Sequence, residues 1–146
     1  MNWKYNGIEF IDSMIPENAV GFIYQMDAII NNKSVSYIGK KNFFANLKIK
    51  LAKKNLSTDK RKKTYKRVQK YNYQNYYSSN DVLKTAQKQD VQIKRTILRI
   101  CYSKSELSYY ETKYQFVNEV LESDQWLNGN ILGKFFKLNS SNNERE

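Results

Sequence analysis

The chain has 146 residues, with 25 Lys plus Arg against 14 Asp plus Glu for a net charge of +11, no His and one Cys. That length carries a hydrophobic core without staples and makes one domain the default, while the missing His and second Cys exclude His- and Cys-built zinc sites, Ser-His and Cys-His catalysis, and an internal disulfide at Cys101. No apolar run reaches about 18 residues and residues 1–10 hold no signal-peptide core, so no membrane span and an intracellular, cytoplasmic location are expected.

Residues 1–18 carry few signals beyond Pro16 and read as an N-terminal extension that packs through Trp3, Ile8 and Phe10. A single domain is expected over 19–138, followed by a polar, frayed tail over 139–146. From Val20 the pattern alternates: Val20, Phe22, Tyr24 and Met26 lie on one face, Asn31-Asn32-Lys33 supplies turn chemistry, and Val35 and Tyr37 alternate with Ser34, Ser36 and Ile38. This predicts a hairpin. With a two-residue Asn31-Asn32 turn, Tyr24 falls opposite Gly39 and Met26 opposite Tyr37, so the two phenols become diagonal neighbours. Phe44, Leu47 and Leu51 have helical spacing and predict a helix near 43–55 with a basic solvent face. Ser78-Ser79-Asn80-Asp81 is a cluster of capping residues before a short helix to about Lys88. Val91–Cys101 alternates, with Val91, Ile93, Arg95, Ile97 and Arg99 on one side, and predicts a third strand. Ser103 and Glu106 form a capping box before a helix to about Leu121 or Glu122. The expected order is strand, strand, helix, helix, strand, helix: an α+β fold with a small antiparallel or mixed sheet, the hairpin plus a third strand, flanked by helices.

The total charge says little, because 20 Lys to 5 Arg with many Asn, Tyr and Ile is what an AT-rich coding sequence produces. Its distribution says more. Lys40 to Lys70 holds 13 basic residues and one acid, a net of +12, which leaves −1 for the other 115 residues. A basic block beside a near-neutral remainder is the footprint of a protein that sits on a phosphate backbone; the alternative is a solvated lysine loop. The expected DNA contacts are Lys40, Lys41, Lys50, Lys53, Lys54, Lys62, Lys63, Lys66 and Arg67. Tyr73 and Tyr76, with Tyr71 and Tyr77, adjoin the block as stacking candidates, or else anchor the helices to the sheet.

Gly21-Phe22-Ile23-Tyr24, followed after twelve residues by Tyr37-Ile38-Gly39-Lys40, resembles the paired signature of the GIY-YIG nuclease family. Tyr37-Ile38-Gly39 matches letter for letter, while Phe22 stands where the usual glycine does and Gly21 lies one place earlier. With Tyr73–Ser79, a helix, a strand and Glu111 following, the chain looks most like phage-encoded Seg-like homing endonuclease catalytic domains. The resemblance implies a DNA endonuclease, double-stranded DNA as partner, Mg²⁺ or Mn²⁺ as cofactor, proton transfer by Tyr24 and Tyr37, Glu111 as metal ligand, and a site role for Asn128 in Trp126-Leu127-Asn128-Gly129. Asn-Gly is equally a turn dipeptide.

Phosphodiester hydrolysis needs activated water, a cation for the developing charge and stabilisation of the leaving oxygen. A tyrosine serves in proton transfer only if its pKa falls, and Lys40 and Lys41 directly follow the hairpin strand that carries Tyr37; the bland alternative for both tyrosines is cross-strand packing. On a helical wheel Leu107, Tyr110, Tyr114, Val117 and Leu121 make the buried stripe, with Glu111 about 80° from its centre, at the edge of the core. One carboxylate suffices for Mg²⁺, although Glu111 could also be a solvated partner of nearby lysines. The departure concerns arginine. The family carries a catalytic Arg on the helix after the second motif, yet none occurs between Gly39 and Arg61; Lys48 lies near the expected turn, and Arg61 or Arg67 are the other candidates. The alternative function is therefore a catalytically weak or inactive DNA-binding relative that coats nucleic acid or modulates another nuclease.

Overall fold

The computed structural model describes residues 2–50 and 65–138, with 46–50 and 65–70 described by their main chain. Strand β1 (Trp3–Tyr5) turns through Asn6-Gly7 into β2 (Ile8–Glu9), and a short 3-10 turn (Asp12–Met14) leads to the long hairpin β3 (Gly21–Ile30) and β4 (Lys33–Asn42). Next come β5 (Phe44–Lys50), β6 (Tyr65–Tyr71), helix α1 (Asp81–Lys88), β7 (Ile93–Cys101), helix α2 (Lys104–Val117) and the small pair β8 (Asn130–Ile131) and β9 (Phe135–Phe136). The main sheet has the order β2-β1-β7-β3-β4, with β1 parallel to β7 and the other pairs antiparallel. The fold is α+β, as expected.

The hairpin turns because Asn31 and Asn32 take φ of 52° and 64°. Two left-handed residues make the two-residue turn whose twist matches the strands, and Asn tolerates that conformation. The register follows: Tyr24 faces Gly39 and Met26 faces Tyr37. Against β7 the register shifts between Ile23 and Tyr24, so Ile23 pairs with Arg99 but Tyr24 with Ile97, leaving Leu98 as an extra residue. This bulge breaks the simple alternation. Ile93, Arg95 and Ile97 share the Tyr24 face and Ile100 joins them, whereas Arg99 moves to the α2 side and lies 3.8 Å from the Tyr110 ring centroid. The expected common face for Arg95 and Arg99 is thus corrected.

Each face of the sheet has its own core. One is aromatic, with Trp3, Phe10, Phe22, Tyr24, Phe43 and Tyr73 joined by Leu83 and Ala86 of α1. Phe22 is fully buried, 4.9 Å from the Trp3 ring and 5.0 Å from that of Phe43, which explains a large residue at this place in the motif: it stabilises by about 1.5–3 kcal/mol through burial alone. The other core is mainly aliphatic: Ile23, Ile38, Cys101, Leu107, Val120, Leu121 and Ile131 beneath α2.

Several expectations change. The helix near 43–55 is replaced over 44–50 by β5, whose main chain pairs with β6 from Phe44↔Tyr71 to Lys50↔Tyr65, and 51–55 lies outside the described residues. Leu47 and Ile49 fit a strand as well as a helix, and the distant partner strand decides. The first eighteen residues, read as an extension, contribute β1 and β2 to the main sheet; Trp3 and Phe10 are buried but Ile8 is exposed. Helix α2 starts as predicted, the Ser103 hydroxyl accepting from the Glu106 N–H at 3.0 Å, but ends at Val117. Val117 is 70% exposed, and Gln115 takes a buried place on the helix instead. The tail over 139–146 lies outside the described residues.

Candidate active site

Strand β4 is an edge of the main sheet, and an edge strand carries main-chain groups that need partners. The stretch after α2 supplies them. Ser36 N–H donates to Gln125 O at 2.9 Å and Leu127 N–H to Ser36 O at 2.7 Å. One residue on, the Asn128 amide takes both groups of Ile38: its Oδ1 accepts from the N–H at 3.1 Å and its Nδ2 donates to the carbonyl at 2.8 Å, with Gln115 Nε2 adding a third bond at 3.1 Å. Next along the strand, the Lys40 N–H and charge favour the ionised Glu111 carboxylate. Leu107, Glu111 and Gln115 are thus an i, i+4 row facing β4, so Glu111 lies nearer the centre of the helix face than the wheel placed it. Asn128 is 3% exposed with both amide atoms engaged, and the structure places it as the pin that holds Ile38 between Tyr37 and Gly39.

Glu111 is half-buried. Burial raises its carboxyl above the ordinary carboxylate range, while the Lys40 charge and N–H act the other way. Lys40 Nζ also meets Ser108 Oγ at 3.0 Å, so Lys40 serves the α2 side of the strand. Tyr37 lies on the opposite side with Tyr24, their ring centroids 6.2 Å apart, as the hairpin register requires. Tyr24 is 1% exposed; its hydroxyl is 3.3 Å from that of Tyr76 and donates to Ser78 Oγ at 3.4 Å. Gly39 makes room for that phenol, since a Cβ there would lie 2.6 Å from Tyr24 Oη.

The expectation that Lys40 and Lys41 pull the tyrosines down is corrected. Burial raises Tyr24, and Tyr76 adds to the rise; burial raises Tyr37, with Tyr76 and the Glu111 charge adding and the Ser79 hydroxyl opposing. Alternation is the reason: Lys40 points away from Tyr37, and Lys41, opposite Phe22, spends its ammonium 4.9 Å above the Tyr76 ring. Burial therefore favours the protonated form of both phenols and, on the α2 side, of Glu111.

The loop bearing Tyr76 is held from beneath by Arg95. Its guanidinium donates to Gln74 O at 2.7 Å and Tyr76 O at 2.9 Å, and lies 4.8 Å and 4.1 Å from the Trp3 and Tyr77 ring centroids. Tyr73, expected to stack on nucleic acid, is 1% exposed, edge-on to Phe43 at 5.3 Å, with its hydroxyl on Asp12. That expectation is overturned: in this turn Tyr73 faces the core, and Tyr76, half-buried, faces the site. Sequence reasoning missed Ser78 and Ser79 as site residues. Only Asn80 of their cluster caps α1, accepting from Val82 N–H at 2.9 Å and Leu83 N–H at 3.3 Å, while Ser78 Oγ accepts from both the Tyr24 hydroxyl and, at 3.1 Å, the Asn80 N–H.

Of the remaining candidates, Lys48 and Arg67 are cross-strand partners on β5 and β6, Lys66 pairs with Ile49, and Lys50 with Tyr65. Lys53, Lys54, Arg61, Lys62 and Lys63 lie outside the described residues. The arginines whose side chains are described, Arg95 and Arg99, serve the loop clamp and the Tyr110 ring.

The residue that could hold a metal is Glu111. Its hard carboxylate oxygen, on a half-buried residue, suits Mg²⁺, which takes one or two carboxylates and keeps waters. Among the described residues no group of three His, Cys, Asp or Glu converges, and no helix is long and apolar enough to cross a membrane. The sequence model of the family described as "Putative endonuclease segE, GIY-YIG domain" matches residues 3–131. No curated protein and no solved structure gives a match.

Proposed function

Because the chain belongs to the segE-type GIY-YIG endonuclease family, we propose that it is a divalent-metal-dependent endonuclease that hydrolyses double-stranded DNA inside the cell, in the manner of a homing enzyme. The observation that carries this reading is the pair of phenols that the hairpin register makes diagonal neighbours, Tyr24 and Tyr37 with ring centroids 6.2 Å apart, on the hairpin against which the Glu111-bearing helix packs. Glu111 would hold Mg²⁺ or Mn²⁺, and a bound ion would neutralise charge on the phosphodiester and acidify nearby hydroxyls. Tyr37, half-buried at the rim, is the group that exchanges a proton with the attacking water or the leaving oxygen. Tyr24 lies behind it and positions the network through Tyr76 and Ser78. Asn128 and Gln115 hold β4, and with it Tyr37, at fixed depth. Lys40 and Lys41 begin the basic block that grips the backbone, and Lys48, Arg61 or Arg67 supplies the charge that the family places on arginine.

The test is cleavage of a supercoiled plasmid in Mg²⁺ with mapped ends. The parent is expected to cut, and Tyr37→Phe and Glu111→Ala to lose at least about 100-fold. Equal rates for all three would end this assignment. The second reading, a DNA-binding relative without catalysis, is favoured by Arg95 and Arg99 being committed elsewhere. It requires a gel shift with no cut in either Mg²⁺ or Mn²⁺.

A further inference from the structure

Strands β5 and β6 form a two-stranded antiparallel ribbon that shares no ladder with the main sheet. Its root is fixed: Phe43 is fully buried, Asn72 N–H donates to Phe43 O at 3.2 Å, and the Phe44 and Tyr71 rings are 5.1 Å apart. The ribbon begins two residues after Asn42, so it continues the strand that carries Tyr37 and Lys40.

The register pairs Asn46 with Gln69, Lys48 with Arg67 and Lys50 with Tyr65, and between them Leu47 with Val68 and Ile49 with Lys66. Alternation sorts these pairs to two faces. One face carries Phe44 and Tyr71 at the root and beyond them only hydrogen-bonding residues: Asn46, Lys48, Lys50, Tyr65, Arg67 and Gln69. The other mixes Ala45, Leu47, Ile49 and Val68 with Lys66 and Lys70. The two strands hold five Lys or Arg and no acid. Lys48 opposite Arg67 is a like-charge cross-strand pair, unfavourable in isolation, and an acceptor-rich partner on that face turns it into an asset.

The types match one partner. Arg and Lys pair with the O6 and N7 acceptors of guanine, Asn and Gln with the N6 and N7 edge of adenine, and the major groove, about 12 Å wide, admits a two-stranded ribbon. We infer that this ribbon lies in the major groove of double-stranded DNA and reads base edges with Asn46, Gln69, Lys48 and Arg67, giving the protein a short sequence preference. The inference rests on the proposed function only in taking DNA as the partner.

The test uses the full chain as Glu111→Gln, so that binding is read apart from cleavage, with selection from a random double-stranded DNA pool and dimethyl sulfate interference on the selected sites. A short motif containing guanine or adenine is expected, with interference from N7-methylguanine inside it. Asn46→Ala with Gln69→Ala should relax preference at one position by roughly 10- to 100-fold. Lys62→Ala with Lys63→Ala should weaken all sequences alike and flatten the salt dependence. The interference pattern needs only the Glu111→Gln chain, so a ribbon variant that fails to fold does not remove the test. Absence of a motif, interference confined to N3-methyladenine in the minor groove, or equal retention of an A-form RNA duplex, whose major groove is too deep and narrow for the ribbon, would overturn the inference. A motif in a protein whose parent cuts no DNA would end the nuclease reading and leave the ribbon standing; cutting without a motif would do the reverse.

Discussion

The two faces of the main sheet are built from different chemistry. The α1 face is aromatic, and its phenols and indole bring polar tips into the core: Trp3 Nε1 donates to Tyr73 O at 2.9 Å, and Tyr24 reaches Tyr76 and Ser78. The α2 face is mainly aliphatic, and its polar groups are gathered at the β4 edge, where Asn128, Gln115 and Glu111 meet the main chain. Aromatic residues let a core carry reactive hydroxyls without orphaning them, because each tip finds a partner at the rim of the hydrophobic body. The aliphatic face holds the geometry of the β4 edge, and the aromatic face presents the phenols proposed to react.

The widest separation between the faces is expected from paired substitutions. Tyr37→Phe should lower cleavage by about 10²–10⁴-fold with little change in the urea midpoint, since only a hydroxyl is lost. Leu107→Ala, in the aliphatic core, should instead cost about 2–5 kcal/mol in urea unfolding while each folded molecule cuts as before. If Leu107→Ala slowed cleavage as much as Tyr37→Phe, the division of labour would fail. Gly39→Ala drives a Cβ against the Tyr24 phenol and should cost about 1–3 kcal/mol along with much of the activity. Asn128→Leu leaves the Ile38 N–H without its acceptor; a loss of about 1–3 kcal/mol is expected, with a weaker kcat rather than an altered metal dependence.

The pH responses are the smallest and sharpest signatures. Burial raises Tyr24, Tyr37 and Tyr73 and pushes the Cys101 thiol up to about 11, so the folded chain keeps protons that the unfolded chain releases at ordinary values. Stability from these groups is complete below those ordinary values and is lost as pH rises through the raised ones; Tm should fall progressively above about pH 9. Glu111 is also raised, so its contribution declines as pH climbs from the ordinary carboxylate range toward neutrality. Cleavage should rise over that same window, because the ionised carboxylate is the metal-holding form. Glu111→Gln should therefore be slightly more stable than the parent at pH 7 and inactive, a pairing that thermal melts and the plasmid assay read together.

Sequence by itself determined what short-range rules govern. Asn31-Asn32 set the hairpin and hence the diagonal phenols, Ser103 and Glu106 set the start of α2, and the count from Lys40 to Lys70 located the charge. Asn6-Gly7 carried an equally plain turn signal that marks β1 and β2. The tertiary structure decided whatever depends on a distant partner. It made 44–50 a strand because 65–71 pairs with it, and parted Arg95 from Arg99 through a bulge against β3. It sent Tyr73 inward and Tyr76 to the site through the Arg95 clamp, and turned Leu107, Glu111 and Gln115 together onto an edge strand that needed hydrogen bonds. It also reversed the expected direction of the tyrosine pKa values. Closeness in sequence placed Lys40 near Tyr37, but the pleat of a strand sends residues three apart to opposite faces, and burial is the largest influence on both phenols.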